Sequence, residues 1–152
     1  MGMYKEILVS LDGSELSEAA LPHARALAKA FDARISLMSI MEPVEMYSQT
    51  GVVGPVVSVS MNVQEEIERI RQYLEGVADN LIKEGIDART EVREGDPAAE
   101  ICEYAETNGV DIIVMSTHGR SGLQRWVYGS VTDRVLRSAK VPVFLVRALA
   151  KT

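Results

Sequence analysis

Apolar positions along the chain follow two rhythms. Short runs rich in Ile, Leu and Val at residues 5–11, 34–41, 111–116 and 141–146 read as buried strands. Between them, apolar residues recur at helical spacing. Leu16, Ala20, Ala24, Leu27 and Phe31 form one such face, and Val63, Ile67, Ile70, Leu74, Val77 and Leu81 a second. Ala98, Ile101, Cys102 and Ala105 form a third, and Val131, Val135 and Leu136 a fourth. Residues 87–93 read as a more polar strand, which suits a sheet edge. The punctuation agrees with this division. Asp12-Gly13-Ser14 ends the first strand, Gly85 closes the second helix, and Gly95-Asp96-Pro97 sets up a cap and a first-turn proline before Gly109 stops that helix. Pro22 lies inside the first helix, expected over residues 14–32. It removes the bond to the Glu18 carbonyl, so a kink or a tightened first section is predicted.

Strands alternating with helices point to an α/β domain with a parallel sheet wrapped on both faces, and to a ligand beyond the carboxyl ends of the strands. Residues 42–62 fit this alternation poorly. They hold two prolines, Gly51, Gly54 and a valine-rich tail, and far exceed the usual link of ~2 to 6 residues. A long flexible insertion is expected there, with a lid, a partner arm and plain disorder all open.

Composition narrows the function. At 152 residues the chain is one ordinary domain, and 47% apolar with 25% charged residues is average for a globular protein. A net charge of −6 argues against general nucleic-acid binding. No run approaches the ~18 apolar residues of a membrane span, and the first residues lack the pattern of a secretory signal, so the cytoplasm is the default location. Cys102 is the single cysteine; it excludes an internal disulfide and reads as a buried, inert thiol.

The stretch from Met115 to Val131, M-S-T-H-G-R-S-G-L-Q-R-W-V-Y-G-S-V, carries the candidate chemistry. It leaves a strand and enters a helix, where backbone N–H groups meet the positive end of the helix dipole. Gly119 and Gly129 bracket nine residues. One reading is a phosphate cradle; the other is turn glycines followed by Ser130 as an N-cap, with Asp133 completing a capping box. Asp12 is likewise open between a ligand contact and a turn residue capping the first helix. His118 has only His23 as a fellow histidine and no carboxylate at useful spacing, which favours a hydrogen-bonding role over a general base. No G-x-x-x-x-G-K-S/T loop is present, and Gly13 stands alone where a dinucleotide fold wants G-x-G-x-x-G.

The same stretch resembles the nucleotide-binding signature of the universal stress protein family, G-x2-G-x9-G-S/T, laid over Ser116, Gly119, Gly129 and Ser130. The similarity extends to I-L-V-S-L-D-G-S-E-L-S-E-A-A-L, to E-G-D-P-A-A-E-I and to V-P-V-F-L-V, and so covers nearly the whole chain. The resemblance implies a single-domain Rossmann-like three-layer sandwich of the adenine nucleotide alpha hydrolase type. Its parallel sheet would have order 3-2-1-4-5, with the crevice between strands one and four. It implies ATP as ligand, with Mg2+ or Mn2+ held mainly by the phosphates, and a homodimer formed through the strand from Val141 to Val146. Asp12 would face the adenosine or a metal-bound water, Ile40 the adenine, and Met115 and Ser116 the ribose. Gly119, Arg120, Gly129, Ser130 and Val131 would hold the phosphates. Ser116 departs from the pattern, which has glycine there. With negative φ at a strand end a serine fits, and its hydroxyl is placed to donate to a ribose or phosphate oxygen.

No metal-binding carboxylate pair and positioned base accompany the loop, so no catalytic residue is assigned and any ATP hydrolysis should be slow. The expected function is that of a regulatory ATP-binding protein of the stress response. The alternatives are a dimeric interaction or chaperone-like module with a vestigial nucleotide pocket, and a slow ATPase.

Overall fold

The computed structural model describes residues 2–43, 56–118 and 129–148, with residues 56–62 as backbone. Strand β1 (Glu6–Ser10) is apolar on both faces because it lies in the middle of the sheet, where Ile7, Leu8 and Val9 are fully buried. It pairs in parallel with β2 (Arg34–Met41) on one side and β4 (Ile112–Ser116) on the other. Strands β3 (Ala88–Glu94) and β5 (Val143–Val146) flank these, giving a five-stranded parallel sheet in the order β3-β2-β1-β4-β5 among the described residues. The expected order 3-2-1-4-5 is therefore the observed one.

Alternation along β1 divides the core into two layers. Ile7 and Val9 pack with Ile35, Leu37 and Val114 beneath α2 (Leu21–Phe31) and α3 (Val56–Lys83). Leu8 and Met38 pack with Ile113 beneath α4 (Pro97–Thr107) and α5 (Ser130–Ser138). Cys102 is buried on α4 among Ala98, Ile101 and Ala105. Burial first, and Glu106 second, pushes its thiol pKa up, as befits an inert thiol.

The helix expected over residues 14–32 is broken in two. α1 (Glu15–Glu18) ends in i→i−3 bonds, Ala19 N to Leu16 O at 3.4 Å and Ala20 N to Ser17 O at 3.2 Å, and α2 then starts afresh with Pro22 in its first turn. Proline is harmless where the amide has no partner anyway, so the chain moves the helix start to suit it. α3 begins at Val56, well before Val63. A valine-rich run has only a weak intrinsic preference, and extending a formed helix is far easier than nucleating one. The rest of the expected insertion, residues 44–55, lies outside the described residues.

The amino end of the sheet is tied by a charged network under α4. Glu6, only 9% exposed, accepts hydrogen bonds from Ser36 and from Arg89 Nη2 at 3.0 Å, while Arg89 Nε and the Tyr104 hydroxyl reach Ser36 Oγ at 2.8 and 3.3 Å. Asp111 accepts the Lys5 and Glu6 amides at 2.8 and 2.9 Å, which satisfies the start of β1. The two sheet edges differ. On the β3 side Arg93 bridges Glu91 and Glu100, each at 3.2 Å, and Glu103, whereas on β5 the half-exposed Phe144 lies against His23 at 5.5 Å between ring centres.

Candidate functional site

The crevice follows from where the pairing stops. Contact between β1 and β4 runs from Ile7 opposite Ile112 to Val9 opposite Val114. Beyond that point β1 continues only with β2, to Ser10 opposite Met38, and β4 only with β5, to Ser116 opposite Val146. The central strands part at their carboxyl ends because crossovers leave on opposite faces there, which is the position where open α/β sheets take ligands.

The first wall is the turn after β1. Leu11 N still bonds Met38 O at 2.9 Å, and the chain then turns through Gly13 at φ 85°. Asp12 Oδ1 accepts the Ser14 amide at 3.0 Å and the Ser14 hydroxyl at 2.5 Å, an Asx turn. Ser14, not Asp12, caps α1 by accepting the Ser17 amide at 3.1 Å. Asp12 thus does the work of a turn residue while standing at the crevice rim, and the register of β1 with β2 puts Ile40 level with it.

The second wall is the end of β4 and the start of α5. Ser116 is not among the residues with positive φ, so serine fits the glycine position of the signature without strain. Its hydroxyl is turned inward, however, donating to His118 O at 2.5 Å and accepting the His118 amide at 3.2 Å. The expected donation to a ligand is replaced by a bond to the chain itself. The Met115 side chain is buried in the core and Ile40 packs against that same cluster, which leaves backbone as their contribution to the crevice. His118 Nδ1 stands 3.1 Å from Thr117 Oγ1, a hydroxyl rather than a carboxylate.

The capping box is not made. Gly129, not Ser130, is the N-cap of α5, no side chain caps the helix, and Asp133 pairs with Arg137 at 3.1 Å instead. The Asp133 amide closes the first helical bond, to Gly129 O at 3.0 Å. Among the described residues no acceptor sits on the amides of Ser130, Val131 or Thr132. Gly129 has φ −57° and ψ 155°, open to any residue, and a Cβ there would meet Thr117 O at 3.4 Å, an ordinary contact. Neither strain nor crowding explains the glycine. Among the described residues it leaves room for a methyl group at the first turn of α5, the positive end of the helix.

The described residues thus place Asp12, Ile40, Met115, Ser116, Gly129, Ser130 and Val131 around one crevice; Gly119 and Arg120 lie outside them, as does Trp126. Hydroxyls that sequence reasoning passed over hold this corner together. Thr132, 3% exposed, donates to Ser116 O at 3.1 Å, and Thr117 Oγ1 accepts the Ala148 amide at 3.2 Å. Their positions, Thr117 just inside the start of the glycine loop and Thr132 just past its end, were the available signal. Arg134 grips Asp96 with both nitrogens, at 2.7 and 2.8 Å, joining the cap of α4 to α5. That guanidinium, with the Ala99 amide second, holds the Asp96 carboxyl below the usual range.

Among the described residues no group of three or more His, Cys, Asp or Glu side chains converges as a metal site, and no helix is long and apolar enough to cross a membrane. A cavity of about 620 Å3 opens at the opposite, amino end of the sheet, between Lys5, Lys29, Asp32 and Asp87. Its Arg34 is already committed to Asp87 at 2.7 Å, and it offers no uncapped helix start.

Comparison with known proteins agrees with this geometry. Residues 3–147 match the profile of the universal stress protein family. The universal stress protein MJ0531 of Methanocaldococcus jannaschii is 35% identical over 95% of this chain and 83% of its own length. The solved structure of protein MJ0577, from the same organism, superposes with a TM-score of 0.84 at 29% identity, covering 99% of this chain and all of the other. A universal stress protein from Archaeoglobus fulgidus, solved in complex with dAMP, shares the fold with a TM-score of 0.66 at 20% identity, over 95% of this chain and 98% of that one.

Proposed function

The chain belongs to the universal stress protein family, and on that footing we propose that it is a regulatory ATP-binding protein acting as a homodimer, with at most slow hydrolysis. One observation carries the reading: at the start of α5, where β1 and β4 part, the first amides have no acceptor among the described residues, and the N-cap is a glycine with room for a methyl group among those residues. Such a site suits an anion that approaches backbone closely, as a phosphate does. The dAMP complex of the related A. fulgidus protein supports an adenine nucleotide as the class of ligand.

Gly129, Ser130 and Val131, with Gly119 and Arg120 on the loop, would hold the phosphates. Asp12 and the backbones at Ile40, Met115 and Ser116 would line the nucleoside. With no carboxylate cluster among the described residues, Mg2+ or Mn2+ would ride on the phosphates, with Asp12 placed to meet a metal-bound water. Binding would then serve as a signal rather than feed a fast reaction. The β5 edge, apolar and exposing Phe144, suits pairing with a second copy.

The test is mass spectrometry of small molecules released from the purified protein, then ATP calorimetry with and without Mg2+. Saturable one-to-one binding is expected; a folded dimer that takes no ATP would favour the chaperone-like reading instead. Phosphate release no faster than that of Gly129→Val would remove the ATPase.

A further inference from the structure

The amides of Ser130, Val131 and Thr132 recognise a phosphate only if α5 is held at a fixed distance and angle from β4. The helix is short, nine residues, and its first turn has no side-chain cap. Its start must therefore be aimed by something else. Gly129 N bonds Thr117 O at 3.0 Å, which closes the base of the loop, and Arg134 on Asp96 ties the middle of the helix to α4, but neither bond fixes the first turn of α5 against the end of β4.

The second anchor is Thr132. A threonine in the first turn of a helix usually satisfies its hydroxyl locally, on its own backbone. Here the hydroxyl leaves the helix and donates to Ser116 O, the last carbonyl of β4, at 3.1 Å and almost fully buried. Thr117, next after that carbonyl, is fixed in turn. Its amide bonds Val146 O at 2.9 Å and its hydroxyl accepts the Ala148 amide at 3.2 Å. The strand end is thus held on both sides, and the Thr132 bond together with Gly129 N on Thr117 O sets the first turn of α5 against it.

We propose that Thr132 is a positioning residue for phosphate recognition, aiming the α5 amides through Ser116 O, with Thr117 as the fixed base it pulls against. Neither hydroxyl touches the ligand. The effect belongs to preorganisation: without the clamp the amides still exist, but a phosphate must pay to align them. This inference rests on the ATP reading above, and it predicts which part of the ligand suffers. The nucleoside contacts at Asp12 and Ile40 lie across the crevice, and those at Met115 and Ser116 are held by the pairing of β4 with β5, so they do not depend on the aim of α5.

The experiment compares ATP with Mg2+ against adenosine, by calorimetry on the full chain, in wild type, Thr132→Val and Thr132→Ser, with melting curves as a check on folding. In Thr132→Val the ATP Kd should rise about tenfold while the adenosine Kd stays within about twofold, and Thr132→Ser should restore ATP binding to within about threefold. Thr117→Val repeats the comparison from the other side should Thr132→Val fold poorly. Parallel losses for both ligands, or an unchanged ATP Kd, would overturn the positioning role. A wild type that binds neither ligand fails earlier and removes the nucleotide reading itself, so the two failures are told apart.

Discussion

The two ends of the sheet are built from different chemistry. At the amino end, Glu6, Ser36, Arg89 and Tyr104 satisfy one another, and Asp111 takes up the two amides that open β1. At the carboxyl end the residues are small, Gly13, Ser14, Ser116, Thr117, Gly129 and Ser130, and among the described residues the first amides of α5 have no acceptor. Polar groups at the amino end satisfy one another; at the carboxyl end the hydroxyls serve the fold too, and it is the first amides of α5 that have no acceptor among the described residues. Fixity and recognition can therefore be altered separately.

The strongest way to probe this division is Gly129→Val. The backbone angles admit valine, and a worse N-cap should cost no more than about 1 kcal/mol in urea unfolding. The added methyls occupy the gap beside the amides, so ATP affinity should fall at least about 100-fold by calorimetry. Glu6→Ala is the mirror experiment. It strands Arg89 and Ser36 in a largely buried site and should cost about 2 kcal/mol in urea unfolding, less than a fully buried pair because Arg89 retains contact with water. Its ATP affinity should equal wild type; a loss there would mean that the ends are coupled.

A smaller effect is expected at high pH. Tyr73 on α3 donates its hydroxyl to Glu18, and burial first, then that carboxylate, pushes the phenol pKa up. A raised folded pKa contributes stability that is complete below the unfolded value of about 10 and is lost as pH climbs towards the folded one. Wild type should lose stability above about pH 10 more steeply than Tyr73→Phe, as read by thermal melts. The least effect belongs to Asp96, whose carboxyl is depressed mainly by Arg134. Its contribution is present above an unfolded pKa of about 4 and disappears as pH falls through the folded value. The pair is exposed, so Asp96→Asn should cost under about 1 kcal/mol at pH 7 and progressively less as pH falls below about 4.

Much of this was legible in the sequence because local chemistry decides it. Gly95-Asp96-Pro97 encodes a cap and a first-turn proline, and Asp96 accepts the Ala99 amide at 3.0 Å as expected. Strand order came from the resemblance, since alternation fixes a parallel sheet but not which strand lies centrally. Four features escaped, for three reasons. Pro22 could bend a helix or restart it, and only packing around Ala20 and Ala24 decides. Ser130 looks like a cap because it is a serine before a helix, yet the helix includes it. The Glu6 network joins residues on separate strands, and nothing near Glu6 in the chain announces Ser36 or Arg89. The Thr132 clamp spans sixteen positions and is hidden in the same way.

The central place of β1 also bears on how the chain leaves the ribosome. It precedes every other strand, yet its neighbour β4 arrives with Asp111, the acceptor of the Glu6 amide, 105 positions later. Until then β2 can cover one border of β1, while the other, with Ile7 and Val9, stays unpaired in solvent. A nascent chain carrying only the first three strands is therefore a sticky half-sheet, and chain-terminating damage before residue 112 should yield aggregates rather than a smaller folded protein.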